Sequence, residues 1–280
     1  MLKFFSIIFL FVFSLFFSQS HRFIYSYKFI PDSTKIDSVL VEKTRLEIFN
    51  DHSEFISELN AKRDSALTSA TSKNQSQASV QMVEGVFKNN VYKSKKLIYS
   101  IEYIGIQPFK VLNKQILNWK LSKETKNVQG YNCQKALLNY GGRNWEAWFT
   151  QEIPIQDGPY IFAKLPGLVV QVNDTNNQHS FTLEENYKIV NSITNFVEKR
   201  YFVPFTVSSE QFTKKWNVYR KNPIGGTEQF MIMNPGLLSG QSFDTNGNEI
   251  DQTQKKRDEQ KYAQKLVLKN NNFINLNLYK

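Results

Sequence analysis

Leu137-Leu138-Asn139-Tyr140-Gly141-Gly142-Arg143-Asn144-Trp145-Glu146-Ala147-Trp148-Phe149-Thr150 holds the strongest local signal in the chain. Two apolar runs of strand character flank a Gly pair. Glycine tolerates positive φ without steric cost, so such a pair predicts a tight hairpin. Leu168 to Val172 and Phe181 to Tyr187 flank Asn173-Asp174-Thr175-Asn176-Asn177 in the same way. Connections this short join antiparallel strands, because a parallel crossover needs about a dozen residues or more.

Strand patterning extends outward from this block. Phe23 to Ile30 and Val39 to Phe49 alternate in the manner of strands. Strand character resumes at Val83, with Ser100 to Ile106 and Val111 to Trp119 as candidates, and a final apolar strand is expected over Phe273 to Leu278. Asp51 and Glu54 have capping-box spacing, and Phe55 and Leu59 have helical spacing, which predicts a short helix from about Ser53. Residues 65–81 read as a polar linker or helix. Ser208-Ser209-Glu210-Gln211 predicts a capped helix with Val207 stapled to Phe212, and with Phe212, Trp216 and Tyr219 on one face. Gln252 to Lys265 reads as a second, solvated helix. The expected fold is mainly β with a few helices: a β-rich α+β protein built on a curved antiparallel sheet of consecutive hairpins.

The first twenty residues read as a secretory signal peptide. Lys3 precedes the apolar run Phe4 to Phe17, and Ser18 and Ser20 stand at −3 and −1 of a cut after Ser20. The run is short for a spanning helix, which needs about 20 residues. Export to the periplasm, the outer membrane or the medium is the expected localisation, with residues 21–280 as a single β-rich domain and no membrane span after cleavage. Cys133 is the one Cys of the chain, so no intrachain disulfide is available, and its neighbours predict a buried, quiet thiol.

Candidate chemistry is sparse. His21, His52 and His179 are far apart, and no HExxH, GxSxG or P-loop occurs. A mature His21 terminus chelating copper would need a second His nearby, and Asp244 to Asp251 lacks the glycine position of a calcium loop. Neither a metal nor a cofactor is expected. Glu146, Glu152, Asp157 and Asp174 gather in sequence, so a carboxylate pair such as Glu146 and Asp157 is the enzymatic alternative. The net charge of +10 is dispersed, which with export argues against nucleic acid.

Gly158-Pro159-Tyr160-Ile161-Phe162 and Leu165-Pro166-Gly167-Leu168-Val169 resemble the hallmark of the GLPGLI family of secreted proteins from Gram-negative bacteria. Tyr131, Cys133, Ala147 to Thr150, Glu152 to Ile155 and Val170 to Val172 fit the same frame, over about Tyr131 to Tyr187. Lys164 departs from the family's first Gly, and Val169 from its Ile. The resemblance implies a secreted, β-rich envelope protein and no particular activity. The expectation is a non-enzymatic binding, chaperone-like or structural module, with an envelope protein, peptide or lipid as partner. A carboxylate-dependent hydrolase is the alternative. Trp148, Gly158, Pro159, Leu165, Pro166, Gly167 and Leu168 form the motif and its possible partner surface. Pro154, Pro159 and Pro166 each lack an N–H donor, so Glu152 to Pro166 should be an ordered, proline-pinned connection.

Overall fold

The computed structural model describes residues 19–73, 84–190, 204–226 and 251–280. Six strands form the first series: β1 Gln19–Phe29, β2 Leu40–Ile48, β3 His52–Ser57, β4 Asn90–Ser94, β5 Ile98–Ile104 and β6 Gln107–Asn113. The second comprises β7 Lys120–Val128, β8 Tyr131–Tyr140, β9 Arg143–Thr150, β10 Leu168–Asp174, β11 His179–Val190 and β12 Phe205–Val207. The helices are α1 Glu58–Ser72, α2 Ser209–Lys221 and α3 Gln252–Lys269. The fold is mainly β, as the pattern of the sequence requires.

The twelve strands of the described residues join one sheet in the order β12-β6-β5-β4-β3-β2-β1-β11-β10-β9-β8-β7. β1 to β6 and β7 to β11 are each a meander of neighbours, and β1 joins the two by pairing with β11. Pairing is antiparallel apart from the short parallel contact of β12 with β6. The sheet has free edges and is not closed. It is nevertheless strongly curled, and the chain's own length demands it. Strands β6 and β7 stand ten places apart, which in a flat sheet would separate them by about 48 Å. Residues 114–119 can span only about 25 Å between their ends. The sheet must therefore bend to bring its two ends together. The β7 edge carries Lys120, Lys123, Glu124 and Lys126, charges that discourage further strand pairing.

The Gly141-Gly142 hairpin forms as expected, with φ of 63° and 78° between β8 and β9. The second expected hairpin is β10–β11. Residues 151–167 then cross the concave side. Ser53 on β3 donates to Asp157 at 2.5 Å, and Lys93 on β4 forms an ion pair with Asp157 and donates to the Gly158 carbonyl at 2.6 Å. From the opposite wall, Trp119 donates to the Ala163 carbonyl at 2.9 Å, while Trp145 packs on Phe162. The connection thus plugs the bend, and the main core forms around Phe162, Leu165, Leu168, Phe181, Phe23 and Phe55.

Three local expectations are corrected. Ser53 lies in β3 rather than in a helix. Phe55 is fully buried between neighbouring strands, whereas Leu59 is exposed, so burial overrode the capping pattern and α1 begins only at Glu58. Strand character over Val111 to Trp119 stops at Asn113, because 114–119 is the bridge between the sheet's ends. Phe273 to Leu278 is an irregular tail with a turn rather than a strand, and it buries Ile274 and Leu278. The helix from Ser209 is capped as expected: Ser208 Oγ accepts from the Gln211 amide, and the Gln211 side chain accepts from the Ser208 amide. Val207, Phe212 and Trp216 are buried together. The expected linker region lies partly in α1, and residues 74–83 lie outside the described residues, as do 1–18 and the 244–250 part of the calcium-like loop. No helix among the described residues is long and apolar enough to cross a membrane.

Candidate functional site

The motif residues are mostly internal. Gly158, Pro159, Leu165, Gly167 and Leu168 are buried, as is Trp148, and only Pro166 and Lys164 are exposed. Gly167 has φ 151°, and a Cβ there would run into the Thr150 carbonyl. A Cβ on Gly158 would meet the Phe162 carbonyl and the Val169 side chain. The geometry of the turn and the surrounding packing account for these residue types.

The carboxylates singled out from sequence do not converge. Glu146 pairs with Lys135 at 3.0 Å and accepts from Trp148 Nε1 at 2.9 Å; these partners hold its carboxyl below the ordinary range despite partial burial. Asp157 is engaged by Lys93, Ser53 and the Gly158 amide. Asp174 accepts from Arg143 and from the amides of Gln178 and His179. Glu152 accepts from the Asn132 amide at 2.8 Å. Each carboxylate has a bracing role of its own. The histidines lie on three strands, β1, β3 and β11. Cys133 is buried, and burial pushes its thiol up to about 11. Among the described residues no group of three or more His, Cys, Asp or Glu is placed to hold a metal ion.

A cleft of about 520 Å³ lies elsewhere, between the sheet and a layer made of α2, α3 and the C-terminal tail. That is within the usual range for small-molecule sites. Its sheet side includes Tyr27, Glu102 and His179; its other side includes Trp216, Tyr219 and Tyr279. Tyr160 from the crossing connection also reaches it. The tail is delivered there by Arg143, which donates to the Phe273 carbonyl at 2.8 and 3.0 Å and to Asn272 Oδ1 at 2.5 Å. Aromatic packing of Tyr279 on Trp216, Phe212 and Phe273 then seats the tail on α2.

Glu102 is the distinctive polar group of this cleft, with 1% of its surface exposed. Tyr279 donates to its Oε2 at 2.7 Å, and Asn89 donates to the same oxygen. Among the described residues its Oε1 has no hydrogen-bond partner of ordinary geometry. Burial raises the carboxyl above the ordinary carboxylate range, against the lowering influence of Ser100, Tyr279 and Asn89. Burial likewise pushes the Tyr160 and Tyr279 hydroxyls well up, with the Glu102 charge adding to the effect. His179 shares a 2.8 Å hydrogen bond with the Tyr27 hydroxyl through Nδ1, and the Asn272 backbone lies against its ring. Burial, followed by the Arg143 charge, lowers the imidazole to about 3, so it is neutral at ordinary pH. An uncharged ring, a partly satisfied acid and several aromatic faces suit hydrogen bonding to a neutral polar ligand.

Sequence reasoning did not find Glu102. It placed the residue on a strand, where an acidic side chain with Ser100 on the same face reads as solvated. Nothing local shows that Tyr279, 177 residues away, will close over it.

Comparison with known proteins corrects the resemblance. Residues 42–202 match the family model described as N-glycanase peptide, N-terminal domain. That match spans the whole Tyr131 to Tyr187 frame on which the GLPGLI resemblance rested. The expectation of a GLPGLI-type non-enzymatic module falls with it. The physical reason lies in the motif. A turn pressed against the Thr150 carbonyl, followed by a buried strand, demands Gly and Leu whatever the surrounding function.

No curated protein matches the chain. Two solved structures of PNGF-II, in space groups C2 and P21, are similar to it at 15% and 14% identity, each with a TM-score of 0.47. Each alignment covers 70% of this chain and 32% or 33% of the other, so the chain spans about a third of the length of those structures. With the model matched across more than half of its residues, from β2 through the end of β11, this chain belongs to the N-glycanase peptide N-terminal domain family.

Proposed function

We propose that this chain is exported and works in the removal of N-linked glycans from glycoproteins, as an N-glycanase-type domain that engages the glycosylated polypeptide. The family match over residues 42–202 carries this reading. The export signal in the sequence is consistent with it, because N-linked glycoproteins of other cells are met outside the cytoplasm. The curled sheet contributes a rigid frame: its bend is plugged by residues 151–167 and braced by Lys93, Asp157 and Trp119. A surface held this way can present a fixed site without paying to order it on binding.

The test uses the purified chain and one glycoprotein in two forms, N-glycosylated and enzymatically stripped. Retention of the glycosylated form in preference to the stripped form is expected, with glycan release followed in the same samples. Equal retention of both forms, with no release, would overturn the reading.

A further inference from the structure

We propose that the cleft between the sheet and the α2–tail layer is a binding subsite for a neutral saccharide unit, with Glu102 as the residue that hydrogen-bonds its hydroxyl or acetamido groups. This rests on the N-glycan reading for the choice of ligand, and on the cleft's own chemistry for its character.

Three observations carry it. The first is an unsatisfied acceptor. Glu102 is almost wholly buried, two donors share its Oε2, and among the described residues its Oε1 has no hydrogen-bond partner of ordinary geometry. A buried acceptor without a partner is costly, and a ligand hydroxyl or amide would satisfy it. The second is the balance of the walls. Trp216 and Tyr219 supply aromatic surface, while Asn89 and Asn275 supply amides. Aromatic faces with a few convergent polar groups suit a ring that is apolar on its faces and polar at its rim. The third is charge. Lys88, exposed at the cleft, together with the Arg143 charge near His179, disfavours a cation, and Glu102 in its ionised form would repel an anion. A neutral ligand meets neither obstacle.

The experiment is calorimetric titration of the full chain with N,N′-diacetylchitobiose and with mannobiose, and with a glucosamine oligomer as the cationic control. Binding of at least one neutral disaccharide is expected, with none of the cationic oligomer. Glu102→Ala should weaken it about tenfold or more, the loss of one well-made hydrogen bond to a buried acid. Glu102→Gln should restore much of the affinity, since an amide keeps the shape and both hydrogen-bonding senses. Tyr219→Ala tests the same wall without removing any partner of Glu102, and should weaken binding several-fold even if Glu102→Ala fails to fold. Preference for the cationic oligomer, or neutral binding indifferent to both Glu102→Ala and Tyr219→Ala, would overturn the proposal. Retention of the glycosylated protein with no disaccharide binding, unchanged in Glu102→Ala, would overturn the subsite and leave the N-glycan reading standing. Disaccharide binding without preference for the glycosylated protein would support the subsite and remove that reading.

Discussion

The Arg143 guanidinium donates twice to the Phe273 carbonyl, at 2.8 and 3.0 Å, across 130 residues of sequence. The same group pairs with Asp174 at 3.1 Å and reaches the Gln178 side chain at 2.9 Å. One buried cation therefore ties the β8–β9 hairpin, the β10–β11 turn and the tail into one joint. The tail beyond that joint carries Tyr279 to Glu102, so the cleft wall depends on it.

Replacing Arg143 tests that dependence. Arg143→Ala should cost about 3–5 kcal/mol, because it leaves Asp174 buried without its counter-charge and three acceptors without a donor. Urea unfolding measures the loss. Limited proteolysis should cut the tail faster than in the parent protein. Unchanged stability with a protected tail would show that the tail is held by its aromatic packing alone.

Leu168 is fully buried with Val170 and Val172, so Leu168→Ala should leave a cavity and cost about 2–5 kcal/mol in urea unfolding. Saccharide binding by the folded fraction should be unchanged, because Leu168 does not line the cleft. A stable variant that loses its ligand would make the motif a recognition surface.

Gly167 and Lys164 should respond in opposite directions. Gly167→Val must place a Cβ against the Thr150 carbonyl at φ 151°, and it should unfold at markedly lower urea. Lys164 has φ 72° and is exposed, a conformation that costs a non-glycine residue about 1 kcal/mol. Lys164→Gly should therefore be neutral or stabilising by at most about 1 kcal/mol, after the greater chain entropy of glycine is counted. A destabilised Lys164→Gly would mean that the lysine side chain makes a contact worth more than the backbone strain.

His179 predicts an acid-side loss of stability. Its folded pKa is about 3 against 6.5 in the unfolded chain, so between those values the unfolded state binds more protons. Its contribution is complete above about pH 6.5 and is lost as pH falls toward 3. Glu102 has the opposite sign. Its raised carboxyl favours the folded state below its unfolded pKa, and that contribution fades as pH rises through the folded value. Urea stability measured across pH should show a slope below pH 6.5 that flattens in His179→Gln. An identical slope in that variant would assign the loss to other groups.

Cys133 is expected to resist a polar thiol reagent at neutral pH until the protein unfolds, because burial holds its thiol near 11. Labelling at the rate of an unfolded control would place the β7–β8 pairing in rapid local opening.

What the sequence determined by itself is local. Gly141-Gly142 between two apolar runs could only be a hairpin, because its φ values suit glycine and the flanking residues alternate. Ser208 and Gln211 made the start of α2 legible, since both partners of the capping box lie within one turn. Leu168, Val170 and Val172 declared a buried face by their spacing. The tertiary structure decided where local signals competed or were missing. Asp51 and Glu54 spelled a helix cap, yet burying Phe55 between β2 and β4 outweighed it. Phe273 to Leu278 read as a strand, but Arg143 and the rings of Trp216 and Phe212 offered it partners other than a sheet edge. The curl of the sheet followed from which strands paired, β1 with β11, and from the short reach of residues 114–119. Glu102 shows the same long-range closure: its bond to Tyr279 and the cleft around it exist only once the tail has folded back over β5.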